Sequence, residues 1–186
     1  MKILLFGVSN VGKTTTGEIL AKKLGYNFYD LDEEVRRKIN NTLEFFVNIG
    51  TVSWRDDYRG EIILDILKKD EDLVFAISPI SFPDSFEKAL NEDDILCIEL
   101  YDTKENLFDR MVFSDENDVI YTDDEYKNEH KDYYLRNFAD NLIWYHDVYD
   151  NIGITNRLFV NADPQDRVAD RIIKKFKLKS KIDDNK

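Results

Sequence analysis

The run GVSNVGKTTT, from Gly7 to Thr16, follows the apolar stretch KILLF and opens the helical run KTTTGEILAKKLG. Gly7, Gly12, Lys13 and Thr14 satisfy the spacing G-x-x-x-x-G-K-[ST], and a strand before it with a helix after it is the setting this spacing requires. No other feature restricts the fold as much. The chain must turn from strand to helix on glycines that let the backbone approach a ligand. The amides of Asn10, Val11, Gly12, Lys13, Thr14 and Thr15 then gather at a helix N-terminus, where negative charge is stabilised. Lys13 adds mobile positive charge, and Thr14 offers a hydroxyl to a divalent cation. The pattern points to nucleotide phosphates, with Mg²⁺ as the companion ion, rather than to an ordinary glycine turn.

Along the rest of the chain short β-type runs alternate with helical ones, which implies a parallel sheet with crossover helices. Five strands are expected: Lys2 to Gly7, Tyr26 to Asp30, Leu73 to Ser78, Ile95 to Leu100 and Arg157 to Ala162. Several are nearly continuous apolar runs, as in strands covered on both faces. The first helix should stop at Gly25. A helical block from about Leu31 to Lys69 should break near Asn40 and Gly50. The final helix should start at Pro164 behind an Asp163 cap. The polar stretch from Ser114 to Tyr134 lacks an apolar period and reads as a lid or a long loop.

With 186 residues, 42% of them apolar, a single domain over residues 1–178 is expected, followed by a frayed tail at 179–186. The formal charge of −12 supplies no field that would attract nucleic acid or an anionic membrane, so small molecules are the expected partners. No apolar run reaches the ~18 residues of a membrane span and no long h-region opens the chain, which suits a cytoplasmic protein, monomeric or weakly dimeric. Cys97, the lone cysteine, lies in the apolar run DILCIEL, where a buried and inert thiol is expected.

Two carboxylates follow the second strand in FYDLDEE. Asp30 stands at the strand's C-terminal end and Asp32 two residues on, at the edge where parallel sheets bind ligands. One can support the hydration shell of Mg²⁺, and the other can orient an acceptor hydroxyl or take its proton. The alternative is that Asp32 merely caps the helix that follows, since aspartate favours that position, although the two roles are not exclusive.

Through GVSNVGKTTTGEILAKKLGYNFYDLDEE and IGTVSWRDDYRGEIILDIL, the chain resembles the shikimate kinase family. The resemblance implies a three-layer α/β/α P-loop kinase fold, with a five-stranded parallel sheet and a helical lid. It implies transfer of the γ-phosphoryl group of ATP, with Mg²⁺, to a hydroxyl of a small acceptor. By the same resemblance Asp30 assists Mg²⁺ together with Thr14, Asp32 contacts acceptor hydroxyls, and Arg55 binds an acceptor carboxylate. Arg110 in LFDRM and Asn161 in VNADPQDRV match the positions that contact adenine.

The rest departs from the family pattern. The glycine stretch after the third strand is replaced by Ser78, Pro79 and Ile80, and Pro79 removes an N–H. No arginine occurs between Ser114 and Tyr134, where Lys127 and Lys131 are the cations. Asn141 occupies the place of a further substrate arginine, with Arg136 five residues earlier as its expected replacement. Shikimate is the first named acceptor, with a polyol, sugar acid or nucleoside beside it. A nucleotide-binding protein without kinase activity remains the other reading. A GTPase switch is disfavoured because TKEN at Thr103 to Asn106 lacks the aspartate that reads guanine and SPIS stands where D-x-x-G is needed.

Overall fold

The computed structural model describes residues 1–113 and 124–181. Its strands are β1 (Lys2–Phe6), β2 (Asn27–Asp30), β3 (Leu73–Ala76), β4 (Ile95–Tyr101) and β5 (Arg157–Phe159). They form one parallel sheet in the order β2-β3-β1-β4-β5, with Leu4 of β1 opposite Phe75 on one side and Cys97 on the other. All five expected strands are present, most of them a residue or more shorter at an end.

Side-chain alternation along β1 divides the interior. Ile3 and Leu5 face one apolar layer with Val74, Ile98, Leu100 and Leu158, whereas Leu4 and Phe6 face another with Leu73, Phe75 and Ile77. Helices α1 (Lys13–Leu24) and α8 (Gln165–Phe176) close the first layer through Leu20, Leu24, Val168 and Ile172. The second is closed by α2 (Leu31–Ile39), α3 (Leu43–Val47) and α4 (Val52–Leu67), through Val35, Phe46, Ile62, Ile63 and Ile66. This is the expected three-layer arrangement. Between β4 and β5 run α5 (Lys104–Asp109), α6 (Glu125–Glu129) and the long α7 (Lys131–Asn151). Among the described residues no helix is long and apolar enough to cross a membrane.

The breaks fall where the sequence puts them. Gly25 ends α1 in the left-handed region and its N–H reaches Ala21 O. Asn40 and Gly50, also left-handed, separate α2 from α3 and α3 from α4. One boundary differs: Pro164, with ψ 141°, is the N-cap of α8 rather than its first residue. Asp163 is instead drawn to Arg167 and Arg171, at 3.1 and 2.9 Å. Thr103 caps α5 by accepting from Asn106 N, so TKEN is a helix start. Residues 114–123 of the expected lid, and 182–186 of the tail, lie outside the described residues. The start of that tail is anchored: Ser180 Oγ donates to Lys23 O and Lys181 N to Leu24 O, each at 2.9 Å. Cys97 is half-buried rather than buried, and desolvation pushes its thiol up to about 12, which keeps it inert.

Candidate active site

The loop between β1 and α1 is shaped by its glycines. Gly7 has φ +136°, and a Cβ there would lie 2.2 Å from Leu100 O. Gly12, at φ +95°, forms the N-cap of α1 with no side chain to occupy the amides beyond it. Those amides open onto a cavity of about 350 Å³ lined by Ser9, Asn10, Gly12, Lys13, Thr14, Thr15, Asp30, Asp32 and Arg110, with Ala76, Ser78 and Pro79. Val11, expected among the binding residues, does not line this cavity, and its side chain is buried in the core.

Lys13 is 9% exposed, and its ammonium donates to Gly7 O and Val8 O at 2.9 Å each. Burial lowers it to about 8, against the opposing pull of Asp32 and Asp30. Thr14 Oγ1 donates to Asp30 Oδ2 at 2.7 Å, joining the two residues expected at the metal.

Asp30, not Asp32, is the N-cap of α2: its Oδ1 accepts from Asp32 N at 2.9 Å and Glu33 N at 3.2 Å. The cap expectation for Asp32 is thereby corrected, and its side chain is left for other work. Asp32 Oδ1 is buried without a hydrogen-bond partner among the described residues, as is Ser78 Oγ. Burial pushes the Asp32 carboxyl above the usual range, with the nearby Ser78 hydroxyl and the Arg59 guanidinium opposing the rise.

A second cavity of about 480 Å³ adjoins the first. Ser9, Asp32, Ser78 and Pro79 wall both, and Leu43, Val47, Val52, Arg55, Asp56, Arg59, Ser81, Asn141 and Tyr145 complete it. Arg55 is held by the carbonyls of Ile49 and Gly50, at 3.1 and 3.2 Å, and not by a surface carboxylate. Ser81 N and Phe82 N, the amides just past Pro79, are taken by Asp56 Oδ2 at 2.9 and 3.1 Å. This side of the site therefore depends on side chains.

Beside Arg110, which lines the first cavity, Asp102 gathers two segments expected at the adenine. Arg110 donates to it at 2.6 Å and Ala162 N at 3.0 Å, which ties Arg110 to the turn carrying Asn161. Burial alone would raise the Asp102 carboxyl, but hydrogen bonds from Asn106, Ala162, Thr103 and Arg110 hold it below the usual range. Asn161 itself is exposed in that turn and lines neither cavity.

Arg136, expected to replace an acceptor arginine, is exposed on α7 and lines neither cavity, five helical residues carrying it to a different face from Asn141. Lys127 donates to Asp109 O at 3.0 Å and lies 5.2 Å from the Phe108 ring, again outside both linings. Arg59 and Asp102 were not anticipated. Each had a signal: Arg59 stands one helical turn beyond Arg55, and Asp102 follows β4 as Asp30 ends β2.

A glycine loop with a buried lysine at the edge of a parallel sheet, opening onto a second cavity, defines a P-loop protein of the small-molecule kinase fold. The chain belongs to the shikimate kinase family, whose model, described as "Shikimate kinase", matches residues 9–175. A shikimate kinase of Bacillus pumilus is 40% identical over 62 residues, which cover 33% of this chain and 34% of that relative. The alignments to this and several other curated relatives span about half or less of the relatives' own length. A shikimate kinase of Flavobacterium johnsoniae is 25% identical over 161 residues, covering 84% of this chain and 91% of the relative. Among solved structures, the shikimate kinase of Bacteroides thetaiotaomicron superposes with a TM-score of 0.70 at 18% identity, over 96% of this chain and 99% of that one. The expected fold class is borne out by this likeness.

Proposed function

We propose that this protein is an ATP-dependent kinase that transfers the γ-phosphoryl group to a hydroxyl of a small acceptor. One observation carries the reading: Asp32, with a buried and unpartnered carboxylate oxygen, stands at the junction of a cavity lined by Lys13 and a cavity lined by Arg55.

On this reading the loop amides and Lys13 hold the phosphates of ATP, while Arg110 and the Asn161 turn flank the base. Thr14 and Asp30 fit Mg²⁺, a hydroxyl and a carboxylate already paired in a site with no cluster of three ligating side chains among the described residues. Such a site leaves most coordination positions to water and phosphate, as Mg²⁺ prefers. The ion would supply positive charge against the β- and γ-oxygens. Asp32 orients the acceptor hydroxyl and takes its proton as the new O–P bond forms and ADP departs. Its raised pKa suits a proton acceptor. Arg55 lies on the acceptor side, ready for an anionic group. The protein's partners are then small molecules, and a cytoplasmic monomer or weak homodimer serves this role.

Shikimate heads the candidate acceptors, and other hydroxylated acids, sugars and nucleosides follow, because Pro79 and the absent arginines alter the acceptor wall. The test is acceptor-dependent ADP release across such a panel, with a thermal shift by ATP and Mg²⁺ as the competence control. Release with at least one acceptor supports the kinase. A thermal shift without release from any acceptor favours a nucleotide-binding protein without kinase activity.

A further inference from the structure

Arg59 is unlike the other cations of the site. Its side chain is 12% exposed, its Nη1 donates to Asp56 Oδ1 at 3.1 Å, and its guanidinium lies 5.2 Å from the Phe46 ring. Asp56 is 1% exposed and is fixed in turn by the amides of Ser81 and Phe82. This locks the guanidinium in place against the second cavity, which it lines. Its Nε is buried and has no hydrogen-bond partner among the described residues. A buried donor of a charged group is costly to leave unpaired.

Arg55 lines the same cavity from the preceding turn of α4, since residues four apart share a helix face. Leu43 and Val47 of α3, with Val52 of α4 itself, add apolar lining, and Asn141 and Tyr145 come from α7. We propose that Arg59 is a second anchoring residue for the acceptor: with Arg55 it takes an oxyanion, a carboxylate or a phosphate, while the acceptor's carbon frame lies on Leu43, Val47 and Val52. This rests on the kinase reading above, which makes the second cavity the acceptor side. Asp56 is the positioning residue. It matches the charge of Arg59 and holds it rigid, so little side-chain entropy is lost when the anion arrives. The N–H that Pro79 lacks, the Ser81 and Phe82 amides that Asp56 engages, and the asparagine at 141 are thereby offset by a cation from α4.

The experiment is calorimetric titration of the whole chain, saturated with a non-hydrolysable ATP analogue and Mg²⁺, with four probes: glucose, gluconate, shikimate and glucose 6-phosphate. At least one anionic probe should bind ten times more tightly than glucose. Gluconate or shikimate identifies a carboxylate, and glucose 6-phosphate a phosphate. Arg59→Met should weaken that probe about 10- to 100-fold, the range expected for one charged hydrogen-bonding group, with analogue affinity and glucose binding unchanged. Arg59→Lys should recover part of the loss.

Because Arg59→Met strips Asp56 of its cation, the double variant Asp56→Asn/Arg59→Met is measured alongside. Its amide acceptor keeps the Ser81 and Phe82 bonds, and melting temperature reports the fold. Anion affinity that survives in both variants overturns the proposal, as does glucose binding equal to every anion, or no anion binding at all. ADP release is read in parallel. Arg59-dependent anion binding without ADP release from any acceptor refutes the kinase reading while supporting the anchor. Release that is indifferent to Arg59 refutes the anchor alone.

Discussion

The cavity at the glycine loop draws half of its lining residues from one short segment between Ser9 and Thr15, whereas the second cavity collects side chains from α2, α3, α4, α7 and the segment after β3. The first works through backbone. A Cβ at Gly7 would meet Leu100 O, so the loop admits few sequences. The second works through side chains set one by one on a scaffold, and a lost backbone donor there can be exchanged for a guanidinium from another element. On the proposed reading, such a site could keep its phosphate cradle while its acceptor wall changes. Arg59 on its Asp56 support is the clearest instance.

The contrast breaks first at Lys13. Lys13→Met should lower turnover by about 10³-fold, the upper range for removing one stabilising charge from a transition state. It should leave the melting temperature no lower, since a buried ammonium is removed. Normal turnover would show that the loop does not hold the reacting phosphates.

Asp32 stands between the two regions and should behave like neither. Asp32→Asn should reduce kcat by about 10²-fold, a modest loss for a base, because loose phosphoryl transfer needs little proton removal at the transition state. The same change should raise stability. The folded protein favours protonated Asp32, so its ionised form is a cost at pH values above the raised pKa. The variant should therefore melt higher at neutral pH, by ~2–4 °C for each kcal/mol gained, and the advantage should vanish as pH falls through that pKa. An equal or lower melting temperature at neutral pH would mean that a partner for the carboxylate already exists.

On the acceptor side a smaller effect is expected with shikimate itself. Ser78, Pro79 and Ile80 in place of glycines, and Asn141 in place of an arginine, should hold kcat/KM below the ~10⁴ M⁻¹s⁻¹ lower end of typical enzymes. A value above that at saturating ATP would show that Arg55 and Arg59 restore the lost contacts fully, and would erase the contrast for this acceptor.

The mildest test concerns pH. Lys13 binds phosphates as a cation, and burial places its pKa at about 8 in the free protein. Above that value nucleotide binding must take up a proton, so affinity should fall by at most tenfold per pH unit, with proton uptake visible in buffers of different ionisation enthalpy. Affinity flat from pH 7 to 9.5 would place the charge elsewhere.

Most of the fold was legible in advance because it rests on local rules. Apolar runs of strand length, the helix stop at Gly25 and the interruptions at Asn40 and Gly50 each state a backbone preference that the surroundings do not overrule. The glycine loop between β1 and α1 was legible for the same reason. Asp32 was ambiguous because aspartate serves both as a cap and as a base, and only the hydrogen bonds from Asp32 N and Glu33 N to Asp30 decide between them. Arg136 was not legible because its place depends on how α7 is turned, and α7 brings Asn141 and Tyr145 to the second cavity while Arg136 lines neither.

By itself, then, the sequence determined a parallel sheet, a phosphate loop after β1 and a pair of carboxylates after β2, since each follows from spacing within one segment. Tertiary structure alone decided which cations line the second cavity. Arg59, Asp56 and Ser81 meet only when α4 packs beside the segment after β3, and Asp102, which holds Arg110, accepts from Ala162 N across 60 residues of chain. Burial there turns charges that would be screened on a surface into fixed partners, and no local pattern records which residues burial will bring together.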